Sequence, residues 1–277
     1  MAIIWAFAHF VYFKQYGHPL DDTLDKDELK RFYKTRTAVW RGLVFTFSTI
    51  YGIIIGIVEK WPVYPNRYFP PNPWAPFEPI TLLMEGYWMC MFGFYLYDLI
   101  WTLFAMDQVK KQNWPAELGK ERADFIEIVV HHCVTVTLVV IARWAGFYRF
   151  GVVTFWLHDV ADPFLYAAKI ANYQGRMWIA DVLFYIYSGI FILALNIVFP
   201  GLVIWVTFTG SKREDIRKSS KLGFMVVCIS FCVILCVLHI GTTWSTIQLI
   251  IKKLWKPKEL DVEMDTQVEN KEKHVKN

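Results

Sequence analysis

Long apolar runs alternate with short charged connectors along this chain. The runs lie near residues 39–58, 80–106, 125–142, 150–171, 178–208 and 222–251, and each approaches or exceeds the roughly 20 residues that a helix needs to cross a bilayer. Inside lipid, backbone amides are satisfied only by helices or closed barrels, and these runs far exceed the roughly 10 residues of a barrel strand. The pattern predicts an all-α polytopic membrane protein. A further run, from Ala2 to Phe13, has neither a basic leader nor a small-residue cleavage site. It reads as a short or tilted first helix and not as a signal peptide. The stretch from Lys256 to Asn277 is charged and apolar-poor, which predicts a disordered tail.

Composition agrees with a membrane bundle, since 55% of the 277 residues are hydrophobic and 18% aromatic. Little chain is left for a soluble domain. Basic residues in short connectors favour the cytoplasmic side. Lys14, Lys26, Lys30, Arg31, Lys34 and Arg36 follow the first run, Lys110, Lys111, Lys120 and Arg122 the third, and Lys252, Lys253, Lys256 and Lys258 the last. Seven spans with a lumenal N-terminus and a cytoplasmic C-terminus fit best. One connector disagrees, because Lys212, Arg213, Arg217, Lys218 and Lys221 would then be lumenal. The net charge of +4 gives no reason to expect nucleic acid as a partner. Cys228, Cys232 and Cys236 recur every four residues on one apolar run, as small buried thiols do, and show no paired zinc spacing.

The polar positions inside the runs carry the chemistry. His131 and His132 interrupt one run, and His158, Asp159 and Asp162 the next. Ionisable side chains are costly in a bilayer, so five across two neighbouring spans mark a candidate site. In the proposed topology His131 lies roughly 11 Å from the cytoplasmic face, Asp162 about 14 Å and His158 about 20 Å, so the two groups overlap in depth. On an unbroken helix His158, Asp159 and Asp162 share a face, and at least one histidine faces the carboxylates. A histidine oriented by a carboxylate suits either proton transfer or nucleophilic catalysis, and the residues do not separate the two. Histidine and aspartate are also metal ligands, yet neither H-x-x-H-H nor H-E-x-x-H occurs, and His239 is the one further histidine within the six long runs. No metal is expected. The bland alternative, polar residues holding helices together, suits five ionisable groups in one layer poorly. Glu85 and Asp98 either line a tunnel or sit solvated near helix ends. Lys169 and Arg176 have a snorkelling role as their simplest account.

The stretch 124–173 contains Asp124-Phe125-Ile126-Glu127, His131-His132-x-x-Thr135, Arg149-x-Gly151, His158-Asp159-x-x-Asp162 and Lys169-x-x-Asn172-Tyr173. With this spacing it resembles the signature of ceramide synthases within the TLC-domain group. Looser likeness extends to Trp40-Arg41, Gly93-Phe94-Tyr95 and Leu238-His239. The resemblance implies a TLC-domain six-helix bundle over residues 39–255, preceded by one short N-terminal membrane helix and a cytoplasmic connector in residues 1–38 and followed by the tail at 256–277. It implies transfer of a fatty acyl group from acyl-CoA to the amine of a sphingoid long-chain base in the endoplasmic reticulum membrane, with acyl-CoA as co-substrate and no other cofactor. Membrane lipids surround such a protein, and homodimers or heterodimers are expected from the family. The family's catalytic residues fall on His131, His132, His158, Asp159 and Asp162, and the candidate substrate contacts are Thr135, Arg149, Tyr166, Lys169 and Tyr95. Two departures stand out: Tyr166 where the family usually has Glu, and Pro163 where it has a non-proline. Pro163 clashes with the carbonyl of Asp159 and is expected to kink the helix inside the site. A non-enzymatic TLC-domain lipid sensor, transporter or cargo chaperone is the alternative. An iron-dependent membrane hydroxylase or desaturase is a third reading.

Overall fold

The computed structural model describes residues 8, 26–60, 81–112, 125–144, 148–212 and 221–255, and among them there is no strand. Eight α-helices follow in chain order: α1 Lys26–Glu59, α2 Leu82–Gln112, α3 Phe125–Trp144, α4 Tyr148–Asp159, α5 Asp162–Tyr173, α6 Met177–Phe191, α7 Phe199–Lys212 and α8 Lys221–Trp255, with a π-helical segment Ile192–Val198 between α6 and α7. The expected first helix at 2–13, apart from Ala8, the Pro-rich stretch 61–80 and the tail at 256–277 lie outside the described residues. Among the described residues, three helical stretches are long and apolar enough to cross a membrane: Lys34–Glu59, Met177–Val206 and Met225–Lys253; Val129–Arg143 is a shorter apolar helix. The chain folds as a multi-pass membrane protein.

The helix α1 runs without a break across residue 38, so the basic residues 26–36 wind on as the extension of a span. The apolar run 150–171, expected as one span, is two twelve-residue helices. Val160 and Ala161 form the bend, and Pro163 occupies the first turn of α5, where its missing amide costs no helical hydrogen bond. The chain then turns sharply. Gly175, at φ +74°, is the left-handed residue after α5. Its amide donates to the Asn172 carbonyl at 3.0 Å, and the Arg176 amide donates to Ala171 at 2.9 Å. This is the paired closure of a Schellman cap, and it starts α6 at once. Pro200 does not break the next run. The backbone widens into the π-segment over the turn that its ring would otherwise crowd, and helical angles continue through Phe199.

The helix α4 is the centre of the fold. Ten of its twelve residues are buried, and it packs against α1, α2, α3, α5 and the π-segment. Close backbone approach makes this possible, since a Cβ on Gly52 would lie 1.9 Å from Trp156 Cδ1. The Trp156 indole donates to the Thr49 carbonyl at 3.2 Å, locking α1 to α4. The α1 face is completed by stacked Phe45 and Tyr166 rings and by the edge-on pair Phe45–Phe94, which join α1 to α5 and α2. Met225, Cys228, Cys232 and Leu235 of α8 belong to the same core. The helix α8 divides between two compact units, Met1–Leu238 and His239–Asn277, and His239 falls in the second.

Candidate functional site

The site grows from two antiparallel helix pairs. On α1 and α2, Tyr51 donates to the Leu83 carbonyl at 2.9 Å, Ser48 meets the Tyr87 hydroxyl at 2.9 Å, and Arg41 reaches Asp98. On α2 and α3, Glu85 and Arg143 approach to 3.8 Å at one end, while Asp98 meets His132 further in. Asp98 is thirteen residues along α2 from Glu85, about 20 Å at the helical rise. This depth, in the middle of the bundle, is where the polar layer collects.

Asp98 is the hub of that layer. Its carboxylate accepts from Arg41 through both oxygens, at 2.8 and 3.1 Å, and from His132 Nε2 at 3.1 Å. All three side chains are largely withdrawn from solvent. Arg41 also extends toward the Tyr166 hydroxyl at 3.5 Å. His132 Nδ1 is buried and makes no hydrogen bond with the described residues, and the same holds for Thr135 Oγ1, one helical turn on.

Next to this triad the histidine rings form a row. His131, half-buried, lies 5.7 Å from the His132 ring and 5.7 Å from the His158 ring. His158 Nδ1 is 2.6 Å from the Thr154 carbonyl, an acceptor, so the proton sits on Nδ1. Phe199 of α7 stands edge-on to the His158 ring at 5.1 Å. The π-segment therefore sets which apolar ring closes this side.

The aspartates behave differently from expectation. The bend at Val160–Ala161 puts Asp159 at the end of α4 and Asp162 at the start of α5, so one unbroken helix does not carry both. Asp159 is fully buried and accepts from the hydroxyls of Ser48 and Tyr95. Its carboxylate thus points to α1 and α2, and the carboxylate beside a histidine is Asp98. Asp162 is half-buried at the start of α5, where the helix dipole favours negative charge.

Among the candidate substrate contacts, Tyr95 is buried, with its ring 5.6 Å from His132 and its hydroxyl on Asp159. Thr135 is buried with its Oγ1 unpartnered among the described residues, and Tyr166 stacks on Phe45 beside Arg41. Lys169 lies over the Tyr166 ring, its Nζ 4.9 Å from the centroid. Arg149 is not brought into the layer. It sits nine residues before His158 on the same helix, about 13 Å away. Arg41, Ser48 and Tyr87 line the site without having been expected there from the sequence, and Asp98 takes the lining role of the two that the sequence left open. Two opposite charges inside adjacent apolar runs were the available signal for pairing Arg41 with Asp98.

The sequence profile of the TLC domain matches residues 34–248, most of the chain and all of the polar layer. The chain belongs to the TLC-domain family. Several of its TLC relatives are named for one activity. "Ceramide synthase 1 LOH3" of Arabidopsis thaliana is 24% identical over 274 residues, 96% of this chain and 83% of the relative. "Ceramide synthase 4" of Homo sapiens is 30% identical over 176 residues, 63% of this chain and 40% of that longer protein. "Alternaria stem canker resistance protein 1" of Solanum lycopersicum is 28% identical over 233 residues, 82% of this chain and 71% of the relative. The TLC profile begins at Lys34, inside α1, and so includes Arg41 as well as both histidine helices.

Proposed function

We propose that this TLC-domain protein transfers a fatty acyl group from acyl-CoA to the amine of a sphingoid long-chain base, releasing ceramide and CoA. The observation that carries the reading is the row of His131, His132 and His158 rings inside the bundle, with one member in hydrogen-bond contact with a buried carboxylate. Relatives named as ceramide synthases support the substrate class.

The chemistry suits these residues. A neutral amine attacks the thioester carbonyl, a carbon–nitrogen bond forms, and the carbon–sulfur bond breaks. The amine's proton passes to an imidazole in the row and from there to the departing CoA thiolate. An acylated histidine on the way is equally compatible with the reagents, since imidazole is also a nucleophile. Water exclusion by Phe155, Phe199 and Tyr95 protects the thioester from hydrolysis. Acyl-CoA is the co-substrate, and no further cofactor is invoked. Residence in the endoplasmic reticulum with a cytoplasmic C-terminus belongs to the same proposal. It lets the basic connectors attract the CoA phosphates.

The test is mass-spectrometric detection of ceramide made by purified protein from a panel of acyl-CoAs and sphingoid bases, beside folded His131→Ala, His132→Ala and Asp162→Ala variants. Product that disappears in the variants is the expected result. A well-folded wild type that makes none across the panel points instead to an altered acyl acceptor or to a non-enzymatic lipid-handling protein. Tyr166 is the first residue to revert in that case, because it occupies the expected position of an acid and is engaged with Phe45 and Arg41.

A further inference from the structure

We infer that Asp98, clamped by Arg41, is a positioning residue that fixes His132 as the Nε2–H tautomer and thereby makes Nδ1 the proton-accepting atom of the site; this rests on the acyl-transfer reading above. The argument begins with atom inventories. An ionised carboxylate only accepts hydrogen bonds, so a histidine nitrogen 3.1 Å from Asp98 Oδ2 must carry a proton. In a neutral imidazole the other nitrogen is then a lone pair. That nitrogen, Nδ1, is buried and has no hydrogen-bond partner among the described residues. A buried acceptor left open inside a polar cluster is where a reacting group would supply the missing hydrogen.

Arg41 makes the arrangement rigid. Its guanidinium holds both Asp98 oxygens, at 2.8 and 3.1 Å. A fork of this kind fixes the carboxylate plane as well as its charge. Arg41 comes from α1, Asp98 from α2 and His132 from α3, so three helices must be in register for the tautomer to be set. The groups facing the His132 ring are Asp98 and Tyr95 from α2 and His131 from its own helix, with Arg41 behind Asp98 and His158 behind His131. Asp98 is the carboxylate in contact with the ring. It stabilises the imidazolium that forms when Nδ1 takes the amine's proton, and the proton leaves again with the CoA thiolate.

Two experiments test this. The first reads the tautomer directly: nitrogen-15 shifts of histidine-labelled protein in detergent, with the His132 signal identified by its loss in His132→Ala. A protonated Nε2 and bare Nδ1 in wild type, giving way to a mixed or reversed state in Asp98→Asn, is expected. A protonated Nδ1 in wild type overturns the inference whether or not the protein proves to be an acyltransferase. The second reads kinetics. In Asp98→Asn the turnover number should fall at least about 100-fold, the span of a general-base contribution, with little change in KM for either substrate. The acidic limb of its pH profile should move to lower pH, because the imidazolium loses its carboxylate. Simple misfolding would lower the active fraction and leave that limb in place. The double variant Arg41→Gln with Asp98→Asn leaves no lone buried charge and serves if the single variant does not fold. Near-wild-type turnover with an unmoved limb in either folded variant refutes the role of Asp98. An inactive wild type with the expected nitrogen shifts refutes only the acyl-transfer reading.

Discussion

Hydroxyl groups in the polar layer fall into two kinds, and single substitutions separate them. Tyr95 donates to Asp159, whose carboxylate is fully buried. Tyr95→Phe removes that donor and leaves a buried acceptor short of a partner, which costs about 1–3 kcal/mol. Thr135 Oγ1 is equally buried, but it has no partner among the described residues to lose. Thr135→Val deletes an unsatisfied hydroxyl, so stability should hold or rise by about 1 kcal/mol. Activity should fall if that hydroxyl meets the thioester or the amine. Thermal unfolding in detergent alongside ceramide formation distinguishes these outcomes. A destabilised Thr135→Val with unchanged turnover would place its hydroxyl in the architecture and not in the reaction.

At the level of elements, the tightest joint is α1 on α4. A methyl group on Gly52 would overlap the Trp156 indole, whereas a methyl on Gly56, one turn further, meets nothing within 4 Å. Gly52→Ala is therefore expected to destabilise by about 1–3 kcal/mol through overpacking. Gly56→Ala should be neutral or slightly stabilising, since alanine favours helix by about 1 kcal/mol over glycine. Equal effects of the two, measured as unfolding midpoints, would mean that α1 and α4 do not meet as described. The bend before Pro163 and the polar break of the 150–171 run could be read from the sequence, because proline's missing amide and ring clash are local rules. The pairing of Arg41 with Asp98 could not. These residues are 57 apart in sequence, and hydropathy alone leaves Asp98 near a helix end, where solvation is as good an explanation as a partner. The carboxylate that meets His132 therefore comes from α2 and not from α4 or α5, which carry Asp159 and Asp162, an outcome of packing that no spacing rule encodes.

The whole molecule poses the question of sidedness. Hydropathy marked the crossings at Lys34–Glu59, Met177–Val206 and Met225–Lys253 because burial in lipid needs a simple, additive signal. The direction of each crossing was ambiguous because the basic residues around 212–221 contradict the other connectors. The structure removes one escape from that conflict: Met177 to Lys212 is a continuous helical path through the π-segment, with no re-entrant turn at Pro200. Its most apolar stretch, Met177–Val206, has the length to cross once. Gln174 and Lys212 should therefore lie on opposite sides of the membrane. Single cysteines at these exposed positions, in a background with the native cysteines replaced, should react with a membrane-impermeant maleimide from opposite faces of sealed vesicles. In the orientation proposed above, with a cytoplasmic C-terminus, Gln174 is the cytoplasmic one. The basic 212–221 connector is then lumenal, tolerated because the orientation is set by the summed bias of several connectors and not by any single one. Labelling of both cysteines from the same face would mean that the helix from Met177 to Lys212 lies along the membrane surface, and the bundle would have one crossing fewer.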